Sequence, residues 1–169
     1  MSAITNPHAH DPRRTRVVVV GNGMVGHRFC EELAQADVER RFRIACIGEE
    51  PRPAYDRVHL SEFFSGRTAE GLRLADPDWY ATQGVGLRLG DRVVAIDRAD
   101  GAVETAAGAR VPYDVLVLAT GSAPFVPPLP GVERPGVFVY RTIEDLEAIR
   151  AWGGRARRAA VIATLMRGR

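Results

Sequence analysis

Three glycines, Gly21-x-Gly23-x-x-Gly26, stand at the end of the β-branched run Arg16-Val17-Val18-Val19-Val20. Backbone recognition of a pyrophosphate is the chemistry this spacing permits. Gly21 allows a tight turn out of a strand, Gly23 lets the main chain approach the anion with no Cβ between, and Gly26 lets a helix lie close on the sheet. The peptide N–H groups opening that helix, across Met24 and Val25, then point at the negative charge. Such a triplet is weak evidence alone, but here it has context. Val25, Phe29, Leu33 and Ala36 recur at helical spacing, so a helix is expected over 24–36. Residues 43–48, Arg-Ile-Ala-Cys-Ile-Gly, read as a second buried strand that runs into Glu49 and Glu50. An acid at this place accepts hydrogen bonds from ribose hydroxyls. The strand–turn–helix–strand order is one βαβ unit, and its reading is dinucleotide binding.

The triplet serves FAD and NAD alike. A second turn bears on the choice: Ala119-Thr120-Gly121 closes the apolar run at 115–119. It reads either as a second phosphate-side turn or as an ordinary strand exit.

The elements that position these residues follow from the pattern. Short helices are expected at 61–64 and at 77–83, the latter with Asp76 as N-cap and Pro77 in the first turn. Strands and hairpins are expected at 86–89, 92–97, 103–105 and 109–111, forming a β-rich insertion over about 86–112. Five prolines in 122–136 exclude helix or central strand there. A short strand at 137–140, a helix at 142–151 capped by Thr142 with Asp145 three residues on, and a strand starting at 158–162 complete the reading. The fold class is α/β: a Rossmann-like domain with a parallel sheet over 16–121, a crossover segment at 122–154, and the start of a second dinucleotide-binding domain at 155–169. Residues 1–15 are expected to be a flexible arm in which His8 and His10 are solvated.

Composition removes other functions. All 23 basic side chains are arginine, so lysine Schiff-base chemistry and a P-loop lysine are excluded. Residues 1–149 hold 17 arginines and 21 acids, while 150–169 hold six arginines and no acid. The net charge of +2 therefore joins a mildly acidic body to a basic tail, which argues against nucleic-acid binding. No apolar run approaches the roughly 20 residues of a membrane span, and no apolar signal core opens the chain, so a cytoplasmic location is expected. Cys30 and Cys46 stand apart with no CxxC, too few for a metal or cluster site and in keeping with core positions.

The strings Gly21-Asn22-Gly23-Met24-Val25-Gly26-His27, Ala54-Tyr55-Asp56-Arg57-Val58-His59-Leu60-Ser61, Ala119-Thr120-Gly121-Ser122 and Tyr140-Arg141-Thr142-Ile143-Glu144-Asp145-Leu146 resemble the N-terminal part of the large subunit of assimilatory NAD(P)H nitrite reductase. The wider resemblance is to glutathione-reductase-like flavoproteins, and it covers about 15–162. It implies that FAD is the cofactor and that Glu49, with Glu50 beside it, holds the ribose. It implies that Arg57 reaches the pyrophosphate, that the backbone at Val93 or Val94 meets the adenine, and that Thr120, Gly121 and Arg141 stand near the flavin. The alternative for Arg57 is a surface arginine paired with Asp56, and for Arg141 a salt bridge to Glu144 or Asp145.

In that family electrons pass from NAD(P)H to FAD, then through an iron–sulfur cluster to sirohaem for the six-electron reduction of nitrite in nitrate assimilation. Those further cofactors are implied for the full-length family only, as are a small subunit or a second copy as partner. Two departures stand out. Glu62 takes the place of a flavin-side lysine, and no position is assigned a catalytic role. From Ala163 onward the tail lacks the glycines of a second turn, so a truncated chain is expected. The remaining readings are the FAD domain of a ferredoxin- or rubredoxin-type reductase, or a non-catalytic remnant.

Overall fold

The computed structural model describes residues 14–163. His8, His10 and the tail from Thr164 onward lie outside the described residues. The chain divides into two units, up to Ala123 and from Pro124.

In the first unit four parallel strands form one sheet in the order β3-β2-β1-β7: β1 (Thr15–Val20), β2 (Phe42–Ile47), β3 (Gly86–Arg88) and β7 (Val115–Leu118). The valine run decides this arrangement. Side chains alternate across a strand, so Val17 and Val19 face one side and Val18 and Val20 the other. Val17 and Val19 pack with Cys30, Ile44, Cys46, Tyr80 and Val85, beneath helix α1 (Met24–Ala36). Val18 and Val20 pack with Ile47 and Val103, and Val103 belongs to a second sheet. That antiparallel sheet runs β4-β5-β6: β4 (Val93–Asp97), β5 (Ala102–Thr105) and β6 (Arg110–Pro112). Covering layers on both faces explain why β1 is apolar at every position from Val17.

Three expectations change here. Residues 86–88 belong to the parallel sheet, because Gly86, Leu87 and Arg88 pair with Ala45, Cys46 and Ile47. The insertion is therefore 93–112. Thr15, expected in the N-terminal arm, is the first residue of β1, with its N–H bonded to Arg41 O at 2.9 Å. Asp76 does hold the N-cap place of α2 (Pro77–Thr82), but its side chain makes no capping bond.

In the second unit, α3 (Ile143–Gly153) opens with a capping box: Asp145 N–H donates to Thr142 Oγ1 and Thr142 N–H to Asp145 Oδ2. The strands expected at 137–140 and 158–162 are absent among the described residues. A strand requires a neighbour to satisfy its backbone, and neither segment pairs with one. Val161 and Ile162 are instead exposed.

The feet of β1 and β7 are joined by Arg16 and Asp114. Arg16 donates from its backbone N–H and Nε to Asp114 Oδ2 (2.7 and 3.0 Å) and from Nη2 to Oδ1 (2.6 Å). The Arg16 side-chain bonds, above all, hold the Asp114 carboxyl down at about 2. Because the folded-state value lies below the ordinary carboxylate value, this contribution is present above about pH 4 and is lost as pH falls toward 2. Asp114→Asn is expected to lower the Tm at pH 7. Thermal melts should show the gap from wild type closing between about pH 4 and 2.

Candidate functional site

All four parallel strands end at one edge, where the loops after Val20, Ile47, Arg88 and Leu118 leave the sheet. In doubly wound sheets this carboxyl edge is where ligands bind. Gly21 N–H donates to Ile47 O, Ala119 N–H to Val20 O and Gly48 N–H to Arg88 O, each at 2.8 Å, so the strand exits are tied side by side.

The three glycines answer to different constraints. Gly21 has φ +105°, and a Cβ there would sit 2.2 Å from Ala119 O and 3.0 Å from Thr120 N. A Cβ at Gly26 would lie 1.9 Å from Gly21 O. These two positions are closed by the protein's own backbone. A Cβ at Gly23 would meet nothing within 4 Å. That open face adjoins the N-terminus of α1, where Gly23 is the N-cap, no side chain caps the helix and no acid occupies the first turn. The first N–H groups of a helix have no intrahelical partner. A 13-residue helix also concentrates partial positive charge there. The cradle therefore fits a pyrophosphate, with Gly23, Met24, Val25 and Gly26 supplying backbone and no competing side chain. The second turn abuts the first: Gly121 has φ +70°, and Ala119 Cβ is 3.5 Å from the Cβ that Gly26 lacks.

The acids lie beyond β2. Glu49 is exposed, with Arg92 Nε 3.7 Å away. Glu50 is held on both carboxylate oxygens: Tyr55 Oη donates to Oε2 at 2.6 Å, and Arg57 pairs with Oε1. Arg57 Nη1 also donates to Tyr55 Oη at 2.9 Å, and its guanidinium stacks over the Tyr55 ring at 4.7 Å. Stacking and planar hydrogen bonding together use what distinguishes arginine from lysine. Asp56, the alternative partner for Arg57, faces His59 Nδ1 at 2.6 Å instead. The structure thus joins Arg57 to Glu50, a pairing the sequence did not suggest.

Val93 begins β4, paired with Thr105 and packed against the Val18–Val20 side of the sheet; a bulge follows it, and Val94 is exposed. Arg141 belongs to the second unit, where its N–H donates to Asp145 Oδ2 at 3.0 Å just ahead of α3. Glu62 lies in a 3₁₀ turn (Leu60–Ser65) and accepts from Arg67 Nη1 at 2.6 Å. Cys30 and Cys46 are fully buried and free. Hydrogen bonding to Cys30, with burial, pushes the Cys46 thiol up, so it is an inert core group.

Sequence reasoning missed the residues under the turn. Asn22 Oδ1 accepts from Tyr80 Oη at 3.0 Å, and Tyr80 Oη also meets His27 Nδ1 at 3.1 Å. Burial, as the largest influence, lowers the His27 pKa and raises that of Tyr80, so both are neutral near pH 7. Their separation of 53 residues gave no local signal.

Residues 15–162 match the family model described as pyridine nucleotide-disulphide oxidoreductase. The chain belongs to the pyridine nucleotide-disulphide oxidoreductase family. It is 49% identical over 146 residues to the nitrite reductase NAD(P)H large subunit of Klebsiella oxytoca, covering 86% of this chain and 15% of that protein. To the nitrite reductase (NADH) large subunit of Escherichia coli K12 it is 46% identical, covering 88% of this chain and 18% of that one. The chain thus spans less than a fifth of either relative. Among solved structures it resembles a ferredoxin reductase from Rhodopseudomonas palustris, with TM-score 0.77 and 29% identity over 84% of this chain and 35% of that one.

The contrast between the glycines is open to test. Gly26→Ala is expected to cost about 3 kcal/mol or more, since the backbone must move to admit the methyl. Gly23→Ala, at φ −90° and with no clash, should cost no more than about 1 kcal/mol, alanine being a poorer N-cap than glycine. It should nevertheless weaken dinucleotide binding. Chemical denaturation paired with a ligand titration checks both.

Proposed function

We propose that this chain is the FAD-holding part of an NAD(P)H-dependent oxidoreductase of the nitrite reductase large-subunit type. The observation that carries the cofactor assignment is the uncapped α1 N-terminus beside Gly23, the one glycine of the triplet whose missing Cβ faces open space. When bound, FAD supplies the redox chemistry by accepting a hydride equivalent and releasing electrons onward. The protein's own residues bind and orient. Gly23 to Gly26 would hold the pyrophosphate through peptide N–H groups. Glu49 and Glu50 would accept from ribose hydroxyls, Glu50 having its carboxylate fixed by Tyr55 and Arg57. Thr120 and Gly121 would border the flavin side, and Val93 the adenine side. Arg57 serves the site through Glu50 in the arrangement seen here. No role in proton or electron transfer is assigned to Glu62, whose carboxylate is paired with Arg67.

The nitrite reading is favoured over a ferredoxin-type reductase by sequence, 49% identity against 29–36% for ferredoxin reductases. An electron-carrying partner and reduction of nitrite to ammonia belong to this proposal. None of the described helices is long and apolar enough to cross a membrane.

Two measurements test it. The purified chain mixed with FAD and passed through a desalting column should retain flavin absorbance in about equimolar amount; a colourless protein rejects the cofactor assignment. Deleting the coding sequence in the source organism should abolish growth on nitrite as nitrogen source. Undiminished growth on nitrite removes the nitrite reading and leaves the ferredoxin one.

A further inference from the structure

The glycine turn has one residue with a side chain between its first two glycines, Asn22, and that side chain turns inward. Its Cβ packs against Gly48, where an added Cβ would be 2.9 Å away. Its Oδ1 accepts from Tyr80 Oη at 3.0 Å and lies 3.5 Å from Cys46 Sγ. Its Nδ2 is buried with no hydrogen-bond partner among the described residues. The amide is thus held mainly through Oδ1, and a thiol is a weak donor, so the Tyr80 hydroxyl is its principal anchor.

The same hydroxyl meets His27 Nδ1 at 3.1 Å. His27 closes the first turn of α1, its N–H donating to Gly23 O at 2.9 Å, and its ring stands edge-on to Trp79 at 4.9 Å. With Asn22 Oδ1 able only to accept, Tyr80 gives it the phenolic proton and His27 donates from a protonated Nδ1. The neutral imidazole favoured by burial supplies that tautomer. One phenol, only 1% exposed, therefore grips residues on both sides of Gly23, Met24, Val25 and Gly26.

We infer that Tyr80 is a positioning residue of the dinucleotide site: through Asn22 and His27 it sets the anion-facing peptide N–H groups of the glycine turn before the ligand arrives. This rests on the dinucleotide-binding reading above. Ordering the turn in advance removes an ordering cost from binding, so the clamp acts on affinity. Tyr80 touches no ligand-facing surface itself and is not a catalytic residue.

The test compares the 169-residue chain with its Tyr80→Phe variant by amide hydrogen exchange and FAD titration. Loss of the phenol's two buried hydrogen bonds should speed exchange at residues 27–30, the first bonded amides of α1, about tenfold in the ligand-free protein and raise the Kd for FAD about tenfold. Exchange at 44–47 in β2 should not change. Adding Asn22→Ala to Tyr80→Phe should alter neither value further, because both remove the same contact. Should Tyr80→Phe fail to fold, Asn22→Ala alone, which leaves the His27 contact in place, is expected to loosen the same residues to a smaller degree. Unchanged exchange with unchanged Kd overturns the inference. So does equal acceleration throughout β1 and β2, which makes Tyr80 a packing residue only. If neither protein binds FAD yet Tyr80→Phe still loosens 27–30, the clamp is supported and the cofactor reading falls.

Discussion

The approach of the β7 exit to the β1 exit is the constraint on which the site depends. Ala119 O lies where a Cβ of Gly21 would be, and Gly21 O where a Cβ of Gly26 would be. Three stretches of main chain therefore stack with no side chain between them. This contact holds α1 against the sheet, aims its N-terminus across the carboxyl edge and brings the two glycine turns together. Backbone packed this closely cannot be shifted by small amounts, since interiors are already near crystal density. Gly23 stands outside that stack, and of the three glycines it alone has a missing Cβ that faces open space.

Around this contact the molecule divides its tasks between layers. The α1 side of the sheet holds the buried cysteines, Tyr80 and Val85, a mixed core that reaches up beneath the turn. The opposite side rests on the antiparallel sheet through Val103. Asp91 secures that second layer: it is buried, accepts from Arg88 Nη1 at 2.7 Å and from Ala107 N–H at 3.1 Å, and so ties the end of β3 to the β5–β6 turn. Electrostatics at the site follow a similar economy. The positive end of a helix dipole and a backbone nest replace lysine, which this chain lacks altogether. Arginine is used where a planar fork has more than one partner, as at Arg57 between Glu50 and Tyr55 and at Arg16 along Asp114.

Much of this was legible beforehand. The valine run, the glycine spacing and the Thr142–Asp145 cap are local signals, and each appears where the residues required it. Short strands were harder. Residues 86–88 carry no signal that separates a parallel edge strand from a hairpin arm, and the pairing with β2 decided it. The segments at 137–140 and 158–162 have strand composition, yet strand propensity describes fit to a neighbouring strand, and neither has one among the described residues.

The sequence by itself determined the βαβ unit, the glycine turns, the acids that follow β2 and the absence of lysine chemistry. These depend on spacing within a few residues and on the conformational freedom of glycine. Only the tertiary structure decided which partner each polar group takes. It set Arg57 against Glu50 rather than Asp56, and it brought Tyr80 under a turn 58 residues earlier. Such pairings follow from how distant segments cross at one sheet edge, and no local pattern of residue types encodes that crossing.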